Sequence, residues 1–243
     1  MNLAIDIGNT SVHAGVFAQN ILIRTFRYHA FNPPRIRSLR QRYFIQNVIV
    51  SSVNDFNPRS FSILSRQVRC FMEFSSQTPI PIENLYKTPD TLGKDRLAGV
   101  TGGQSLFPGR PLLVIDAGTA ITYDFLNAAG QYQGGNISPG LTMRLGALHK
   151  YTRRLPRVQP RRQTPVMADN TVEAIAAGVQ NGIIYEMNQY IEHFTNQYPG
   201  LITILTGGDS FFFDNKLKYP IFVEPNLILI GLNKILKYNL YAH

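Results

Sequence analysis

Two apolar runs in this chain each end on an aspartate followed by a glycine-containing turn. The two turns read Asp6-Ile7-Gly8-Asn9-Thr10 and Asp116-Ala117-Gly118-Thr119-Ala120. Each turn is preceded by a short apolar run, at 3–5 or 112–115, and is followed by a second strand-like segment, at 13–17 or 121–125. Short apolar runs bounded by turn residues predict buried strands. The chain is therefore expected to contain the same strand–turn–strand unit twice.

The wider pattern predicts an α/β protein in two halves. Strands are predicted at 3–7, 13–18, 21–28, 48–53, 68–74, 111–116, 120–127, 131–137 and 202–205, and helices at 35–44, 97–107, 141–149, 172–195 and 226–238. Asn170-Thr171 makes a good amino-terminal cap for the fourth of these helices, in which apolar residues recur at helical spacing. Because the three-strand opening repeats, we expect two domains, 1–110 and 111–243.

The bulk properties indicate a folded chain without a membrane span. Of its 243 residues, 44% are hydrophobic and only 16% are charged, which is unlike a disordered protein. No apolar run approaches the roughly 20 residues that cross a bilayer, and Asp6 interrupts the first run too early for a secretory signal. We therefore expect a cytoplasmic location. Cys70 is the only cysteine, which excludes an internal disulfide, and we expect it to be a small core residue.

The net charge of +9 leaves nucleic acid open as a partner. Most of the excess lies in two arginine clusters, Arg35, Arg37, Arg40 and Arg42 in the first half and Arg153, Arg154, Arg157, Arg161 and Arg162 in the second. Neither cluster matches a groove-reading motif. We interpret both as solvated surface that can also attract a polyanionic substrate such as ATP, and we expect no specific nucleic-acid partner.

The repeated turns have the residue types that bind phosphate and a metal ion. Glycine lets backbone N–H groups approach a phosphate, a threonine hydroxyl can donate to it, and a carboxylate can hold the accompanying cation. A single Asp-x-Gly turn is more often plain turn chemistry. Two copies favour two similar half-molecules that face each other across a nucleotide, with Asp6 and Asp116 holding Mg²⁺ directly or through water.

Five motifs in order resemble the type III pantothenate kinases, a family within the sugar kinase, heat-shock ATPase and actin superfamily. They are the two turns together with Gly93-Lys94-Asp95-Arg96, Gly134-Gly135-Asn136-Ile137-Ser138-Pro139-Gly140 and Thr206-Gly207-Gly208. The resemblance covers nearly the whole chain. It implies two similar actin-like (ribonuclease H-like) lobes, with mixed sheets flanked by helices and the active site in the cleft between them. It also implies a homodimer.

The resemblance implies an ATP-dependent kinase that converts pantothenate to 4′-phosphopantothenate, the first step of coenzyme A biosynthesis. The implied ATP-binding residues are Asp6, Ile7, Gly8, Asn9, Thr10, Ser11, Val12, His13, Gly118 and Thr119. The implied substrate-binding residues are Tyr86, Gly93, Lys94, Asp95, Arg96 and Thr171. Asp116 would help bind the monovalent cation, K⁺ or NH₄⁺, that the family requires, and Asp6 would hold Mg²⁺.

Asp95 is the candidate general base for the substrate hydroxyl, and Arg96 is the candidate partner of the pantothenate carboxylate, which a planar guanidinium can meet with two hydrogen bonds. The alternative for this pair is a surface salt bridge at a helix start. Tyr86 could equally be a packing aromatic and Thr171 only a helix cap. Lys94 departs from the family, where a small residue is common at this position.

Two other functions remain open at this point. One is a nucleic-acid-associated transcriptional accessory factor on the same fold, and the other is a kinase for a different small hydroxylated acid. The presence of Asp6, Asp95 and Asp116 together favours a working enzyme.

Overall fold

The computed structural model describes residues 1–52 and 58–241, and these residues form two compact units. Unit 1 is Met1–Pro108, Gly130–Tyr132 and Asn226–His243, and unit 2 is Gly109–Ala129 and Gln133–Pro225. The C-terminal helix thus groups with the first unit. The division of the chain into domains 1–110 and 111–243 stays a prediction.

The strands and helices have the following bounds. The strands are β1 (Asn2–Ile7), β2 (Val12–Ala18), β3 (Ile21–Tyr28), β4 (Asn47–Ser52), β5 (Cys70–Glu73), β6 (Glu83–Asn84), β7 (Leu112–Ala117), β8 (Ala120–Leu126), β9 (Gln131–Pro139), β10 (Ile202–Thr206) and β11 (Phe222–Val223). The helices are α1 (Pro33–Tyr43), α2 (Pro58–Ser65), α3 (Lys94–Leu106), α4 (Leu141–Tyr151), α5 (Thr171–Gln197), α6 (Ser210–Phe213) and α7 (Leu227–Tyr241), with short 3₁₀ turns at Pro89–Thr91 and Asp214–Lys216.

The predicted repeat extends to the order of five strands in each unit. Unit 1 has the order β3-β2-β1-β4-β5, and the corresponding strands of unit 2 have the order β9-β8-β7-β10-β11. In unit 1, β1 and β2 are antiparallel, as are β2 and β3, whereas β4 and β5 run parallel to β1. In unit 2, β7 and β8 are antiparallel, and β10 and β11 run parallel to β7. The mixed sheets confirm the predicted fold class.

All predicted strands and helices of the described residues exist, and most of their ends lie within a few residues of the prediction. Val53, the last residue of one predicted strand, lies outside the described residues. The prediction missed four short elements: α2, α6, β6 and β11. Of these, β6 and β11 have two residues each and α6 has four, which are too few positions to show a period.

The alternation of side chains along β1 decides which helices cover its two faces. Leu3 and Ile5 face a core that includes Ile36 and Leu39 of α1. Asn2, Ala4 and Asp6 have the opposite parity and therefore lie on the other face. On that face α7 packs against β1, and Asn2 donates to Asn233 of α7 at 3.0 Å.

Helix α3 is packed closely against α7 within unit 1. A Cβ on Gly102 would lie 2.4 Å from the carbonyl oxygen of Leu227, and one on Gly231 would overlap the carbonyl of Ala98. Only glycine permits this approach of two backbones. Since α7 also packs against β1, the two glycines fix α3 relative to the face of the sheet on which Asp6 lies.

Candidate functional site

The first turn joins β1 to β2 and is closed by its own backbone. The N–H of Gly8 donates to the carbonyl of Ser11 at 3.0 Å, and the ring Nε2 of His13 lies 3.1 Å from Ser11 Oγ. Asn9 and Thr10 at its tip are exposed. Gly8 does not lie in the left-handed region, and its nearest neighbour would be 3.4 Å from an added Cβ. Contacts within the chain therefore do not require glycine at position 8.

Asp6 is a carboxylate in a setting that disfavours its charge. Burial and then the negative charge of Asp95 raise its pKa to about 7, and Ser51 lowers it in part. Its Oδ1 is buried and has no hydrogen-bond partner among the described residues. A buried, unsatisfied carboxylate oxygen is costly unless a proton or a cation accompanies it. Asp6 therefore fits the role of a cation ligand.

Asp95 and Arg96 lie in the first turn of α3, which begins at Lys94, three residues before the predicted start at 97. Asp95 Oδ1 accepts a hydrogen bond from the backbone N–H of Arg96 at 2.8 Å. A Cβ on Gly93 would lie 2.5 Å from the same oxygen, so glycine is needed there for this position of the Asp95 side chain. The negative charge of Asp95 is, after burial, the second cause of the raised pKa of Asp6.

Arg96 is buried, with 7% of its surface exposed. This rules out the alternative of a solvent-exposed salt bridge, because the guanidinium is not on the surface. Its Cζ lies 5.8 Å from the centre of the Tyr86 ring, and Tyr86 in turn lies 6.1 Å from Tyr132. Tyr86 therefore packs on the arginine of the substrate motif, a contact that suits a cation. Lys94 begins the helix and is half-exposed.

The second turn joins β7 to β8 and resembles the first in its backbone closure. The N–H of Gly118 donates to the carbonyl of Ala120 at 3.0 Å, and Thr119 is exposed. Like Gly8, Gly118 is outside the left-handed region, and a Cβ there would make only ordinary contacts at 3.6 Å. Asp116, at the end of β7, is paired in register with Thr206 on one side and Thr122 on the other.

Two further glycines hold the second turn tightly. Gly207 has a φ of +91°, and a Cβ there would lie 2.3 Å from Asp116 Oδ1. Gly140 donates its N–H to the carbonyl of Thr119 at 3.0 Å, and a Cβ on it would lie 2.2 Å from the carbonyl oxygen of Gly118. Both glycines belong to motifs that the sequence analysis singled out. The structure shows that they are close neighbours of the second turn.

The remaining predicted residues divide between the units. Ile7, Val12 and His13 lie on β1 and β2 beside the first turn, and burial lowers the pKa of His13. Thr171 is the first, exposed residue of α5 in unit 2. Asn170 is the cap of that helix, since its Oδ1 accepts from the N–H of Glu173 at 3.0 Å. Capping is therefore the work of Asn170, and Thr171 itself is available for another role.

Neither Cys70 nor a cluster of metal-binding side chains forms a further candidate site among the described residues. Cys70 lies in β5 as expected but is half-buried, not a core residue, and burial raises the pKa of its thiol. In the described parts of the chain, no three His, Cys, Asp or Glu side chains are grouped so that they could hold a metal ion. Mg²⁺ is often held by one or two carboxylates together with substrate phosphates and water. A single carboxylate such as that of Asp6 fits that mode.

Comparison with known proteins gives the family. The sequence model of the type III pantothenate kinases matches residues 2–193. The chain belongs to the type III pantothenate kinase family. A relative of that name from Phocaeicola vulgatus is 46% identical over 239 residues, which are 98% of this chain and 99% of the relative. One from Bacteroides fragilis is 45% identical over 239 residues, 98% of each chain. Another, from Cytophaga hutchinsonii, is 38% identical over 98% of this chain and 100% of its own.

Solved structures of distant sequence share the fold. A Campylobacter jejuni protein described as a Baf family transcriptional activator has a TM-score of 0.65 at 23% identity, covering 98% of each chain. A Sinorhizobium meliloti protein described as a 2-dehydro-3-deoxygalactonokinase has a TM-score of 0.61 at 9% identity, covering both chains fully. These likenesses show that proteins of distant sequence share the mixed α/β fold of this chain. Among the described residues, no helix is long and apolar enough to cross a membrane.

Proposed function

We propose that this chain catalyses the ATP-dependent phosphorylation of pantothenate to 4′-phosphopantothenate, the first step of coenzyme A biosynthesis. The observation that carries the proposal is the buried Oδ1 of Asp6, which has no hydrogen-bond partner among the described residues and lies in unit 1 with Asp95. The buried Arg96 follows Asp95 directly and packs on Tyr86. One carboxylate is suited to a cation and the other to a proton. The family name of relatives that match the whole length of the chain supports pantothenate as the acceptor.

Asp95 is the proposed general base. A primary hydroxyl becomes a better nucleophile when a carboxylate accepts its proton as the new P–O bond forms. The hydrogen bond from the N–H of Arg96 fixes the Asp95 side chain before substrate arrives. Fixed geometry is much of what phosphoryl transfer requires of a protein.

Arg96 is the proposed partner of the pantothenate carboxylate. A planar guanidinium can meet a carboxylate with two parallel hydrogen bonds, and the match of Asp95-Arg96 to the family's substrate motif supports this partner. Tyr86 orients the guanidinium from one side. Gly93, Lys94 and Thr171 are proposed to line the same substrate, on the basis of their match to the family's motifs.

The two turns are the proposed phosphate-binding elements. The first comprises Asp6, Ile7, Gly8, Asn9, Thr10, Ser11, Val12 and His13, and the second contributes Gly118 and Thr119. The glycines at positions 8 and 118 support this assignment, because packing within the chain does not require glycine at either position. Asp6 would hold Mg²⁺, which neutralises phosphate charge when bound. Asp116 would bind the monovalent cation, K⁺ or NH₄⁺.

The proposal also includes a cytoplasmic homodimer with no specific nucleic-acid partner. The dimer rests on the family resemblance, and the location rests on the sequence, in which no apolar run is long enough to cross a bilayer. Sedimentation of the purified protein would check the first.

An ADP-release assay tests the activity. The purified chain is given ATP, Mg²⁺ and K⁺, and pantothenate is compared with other small hydroxylated acids at equal concentration. We expect ADP release that depends on pantothenate and rises when K⁺ or NH₄⁺ replaces Na⁺. Release with a different acid but not with pantothenate would reassign the substrate, and no release with any acid would contradict the kinase proposal.

A further inference from the structure

Arg144 of α4 is bound by three groups of unit 2. Its Nε donates to the carbonyl of Pro139 at 2.7 Å, and its Nη2 donates to Ser138 Oγ at 2.5 Å and to Glu186 Oε2 at 2.6 Å. Pro139 and Ser138 end β9, whereas Glu186 lies in the middle of α5. The guanidinium therefore fixes the end of a strand to a long helix.

Glu186, which accepts a hydrogen bond from Arg144, also accepts one on its other carboxylate oxygen. The hydroxyl of Tyr123 donates to Glu186 Oε1 at 2.9 Å. Tyr123 is buried, and burial together with Glu186 raises the pKa of its phenol, so that the hydroxyl remains a donor. The Tyr123 ring stacks on Tyr190 at 4.1 Å, and the hydroxyl of Tyr190 accepts from Asn136 of β9 at 3.0 Å.

The strand end that Arg144 holds lies directly against the second turn. Gly140, the residue after Pro139, donates to the carbonyl of Thr119 at 3.0 Å, and an added Cβ would overlap the carbonyl of Gly118. Any shift of Pro139 and Gly140 must therefore displace Gly118 and Thr119 or break this contact.

These contacts form a closed ring around the turn. From Thr119 the ring runs along β8 to Tyr123, then to Glu186, Arg144 and the strand end, and returns through Gly140. The side chains of Arg144 and Glu186 are only 21% and 24% exposed. A charge-assisted pair with this little solvent contact constrains geometry more than a surface ion pair does.

We propose that Arg144, held by Glu186, is a positioning residue that sets Gly118 and Thr119 in place for the phosphates of ATP. The inference rests on the proposed nucleotide role of the second turn. Arg144 is not a catalytic residue in this account, because it acts through Pro139 and Gly140.

The test compares Arg144→Met with a matched control. Arg161 offers the control, because it also pairs with a glutamate of α5, Glu173, at 3.0 Å. Nucleotide affinity is measured by calorimetry with a non-hydrolysable ATP analogue and Mg²⁺, and pantothenate affinity is measured separately. Loss of charge-assisted hydrogen bonds should weaken nucleotide binding about 10- to 100-fold in Arg144→Met. Pantothenate affinity, and both affinities in Arg161→Met, should stay within about 2-fold of wild type.

Amide hydrogen exchange supplies a readout that needs no enzymatic activity. Residues 117–123 should exchange faster in Arg144→Met than in wild type or in Arg161→Met. Glu186→Gln, which keeps the shape of the side chain, should move exchange and nucleotide affinity in the same direction but less. Glu186→Gln also provides the test if Arg144→Met does not fold.

The outcomes separate this inference from the proposed function. A wild-type protein that binds nucleotide and phosphorylates pantothenate, together with an unchanged nucleotide affinity and exchange rate in Arg144→Met and Glu186→Gln, overturns the positioning role alone. Equal losses for nucleotide and pantothenate also overturn it. If the wild type binds no nucleotide but residues 117–123 exchange faster in Arg144→Met, Arg144 still positions the turn, and the proposed nucleotide role of the turn is wrong.

Discussion

The two phosphate-type turns have the same topology but are held in different ways. The first turn is closed by one backbone bond and by contacts of its own residues, and its Asp6 has a pKa raised to about 7 beside Asp95. The second turn is enclosed by two glycines that admit no side chain, Gly140 and Gly207, and by the Arg144 network behind one of them. The first turn thus follows a carboxylate whose pKa is raised, whereas the second turn is closely packed against two neighbouring glycines.

If the chemistry belongs to unit 1, the largest effect should follow from Asp95→Asn. The amide keeps the shape of the side chain but cannot accept the hydroxyl proton, and general-base catalysis is typically worth about 10²- to 10⁴-fold. We expect kcat to fall by that factor while nucleotide affinity changes little. Steady-state kinetics and calorimetry on the same folded preparation measure both, and a near-normal kcat would remove Asp95 from its role.

The rigidity of the second turn predicts a stability difference between two glycine substitutions. Gly207→Ala places a Cβ at 2.3 Å from Asp116 Oδ1 with a φ of +91°. A strained backbone of this kind costs about 1–3 kcal/mol, and the overlap adds to it. Gly8→Ala, with its nearest contact at 3.4 Å, should leave the free energy of unfolding almost unchanged while weakening nucleotide binding.

Denaturant unfolding of Gly207→Ala and Gly8→Ala measures the two stability losses. Equal stability losses would show that the two turns are held alike, contrary to the comparison. Normal nucleotide affinity in Gly8→Ala would show that the space above the first turn serves no phosphate.

Arg96→Ala should separate the two substrates. The guanidinium is proposed to meet the carboxylate of pantothenate only, and a charge-assisted hydrogen bond contributes about 1.5–3 kcal/mol, or roughly 10- to 100-fold in affinity. We expect pantothenate binding to weaken by that factor and nucleotide binding to change far less. Because Arg96 is buried, circular dichroism should confirm the fold first, and comparable losses for both ligands would indicate a structural role.

The raised pKa of Asp6 predicts a pH-dependent stability in protein freed of metal ions. Asp6 binds its proton more tightly in the folded chain, so its contribution to stability is present at low pH and is lost as pH rises from about 4 towards 7. The thermal midpoint of the wild type, relative to Asp6→Asn, should therefore fall over this range in EDTA. Asp95→Asn should shrink the fall because it removes one cause of the shift. A rising difference would contradict the assignment.

The repeated strands could be predicted well from the sequence, whereas the side-chain contacts around the candidate site could not. The strands around both turns follow from apolar runs that end on Asp6 and Asp116, and the start of α5 follows from Asn170. The substrate motif could be found as a motif, but the burial of Arg96 could not, because arginine is mostly exposed in folded proteins. The extra length of α3 at its start had a signal in Asp95, an acidic residue suited to a first helical turn.

The network behind the second turn had no signal in the chain. Tyr123, Arg144 and Glu186 are far apart in sequence and show no spacing typical of a site. Arg144 follows the Gly134–Gly140 motif by four residues, and a basic residue in a helix is usually solvated. Only the packing of α4 and α5 against unit 2's sheet brings the three side chains together.

The most direct test of the account is a ³¹P NMR time course on pantothenate, ATP, Mg²⁺ and K⁺ with the wild-type chain and with Asp95→Asn. We expect the wild type to convert the γ-phosphate signal of ATP into a phosphomonoester signal with equal formation of ADP. We expect Asp95→Asn to bind nucleotide but to form the phosphomonoester at most about a hundredth as fast. No phosphomonoester with the wild type, or equal rates for the two proteins, would contradict the central claim.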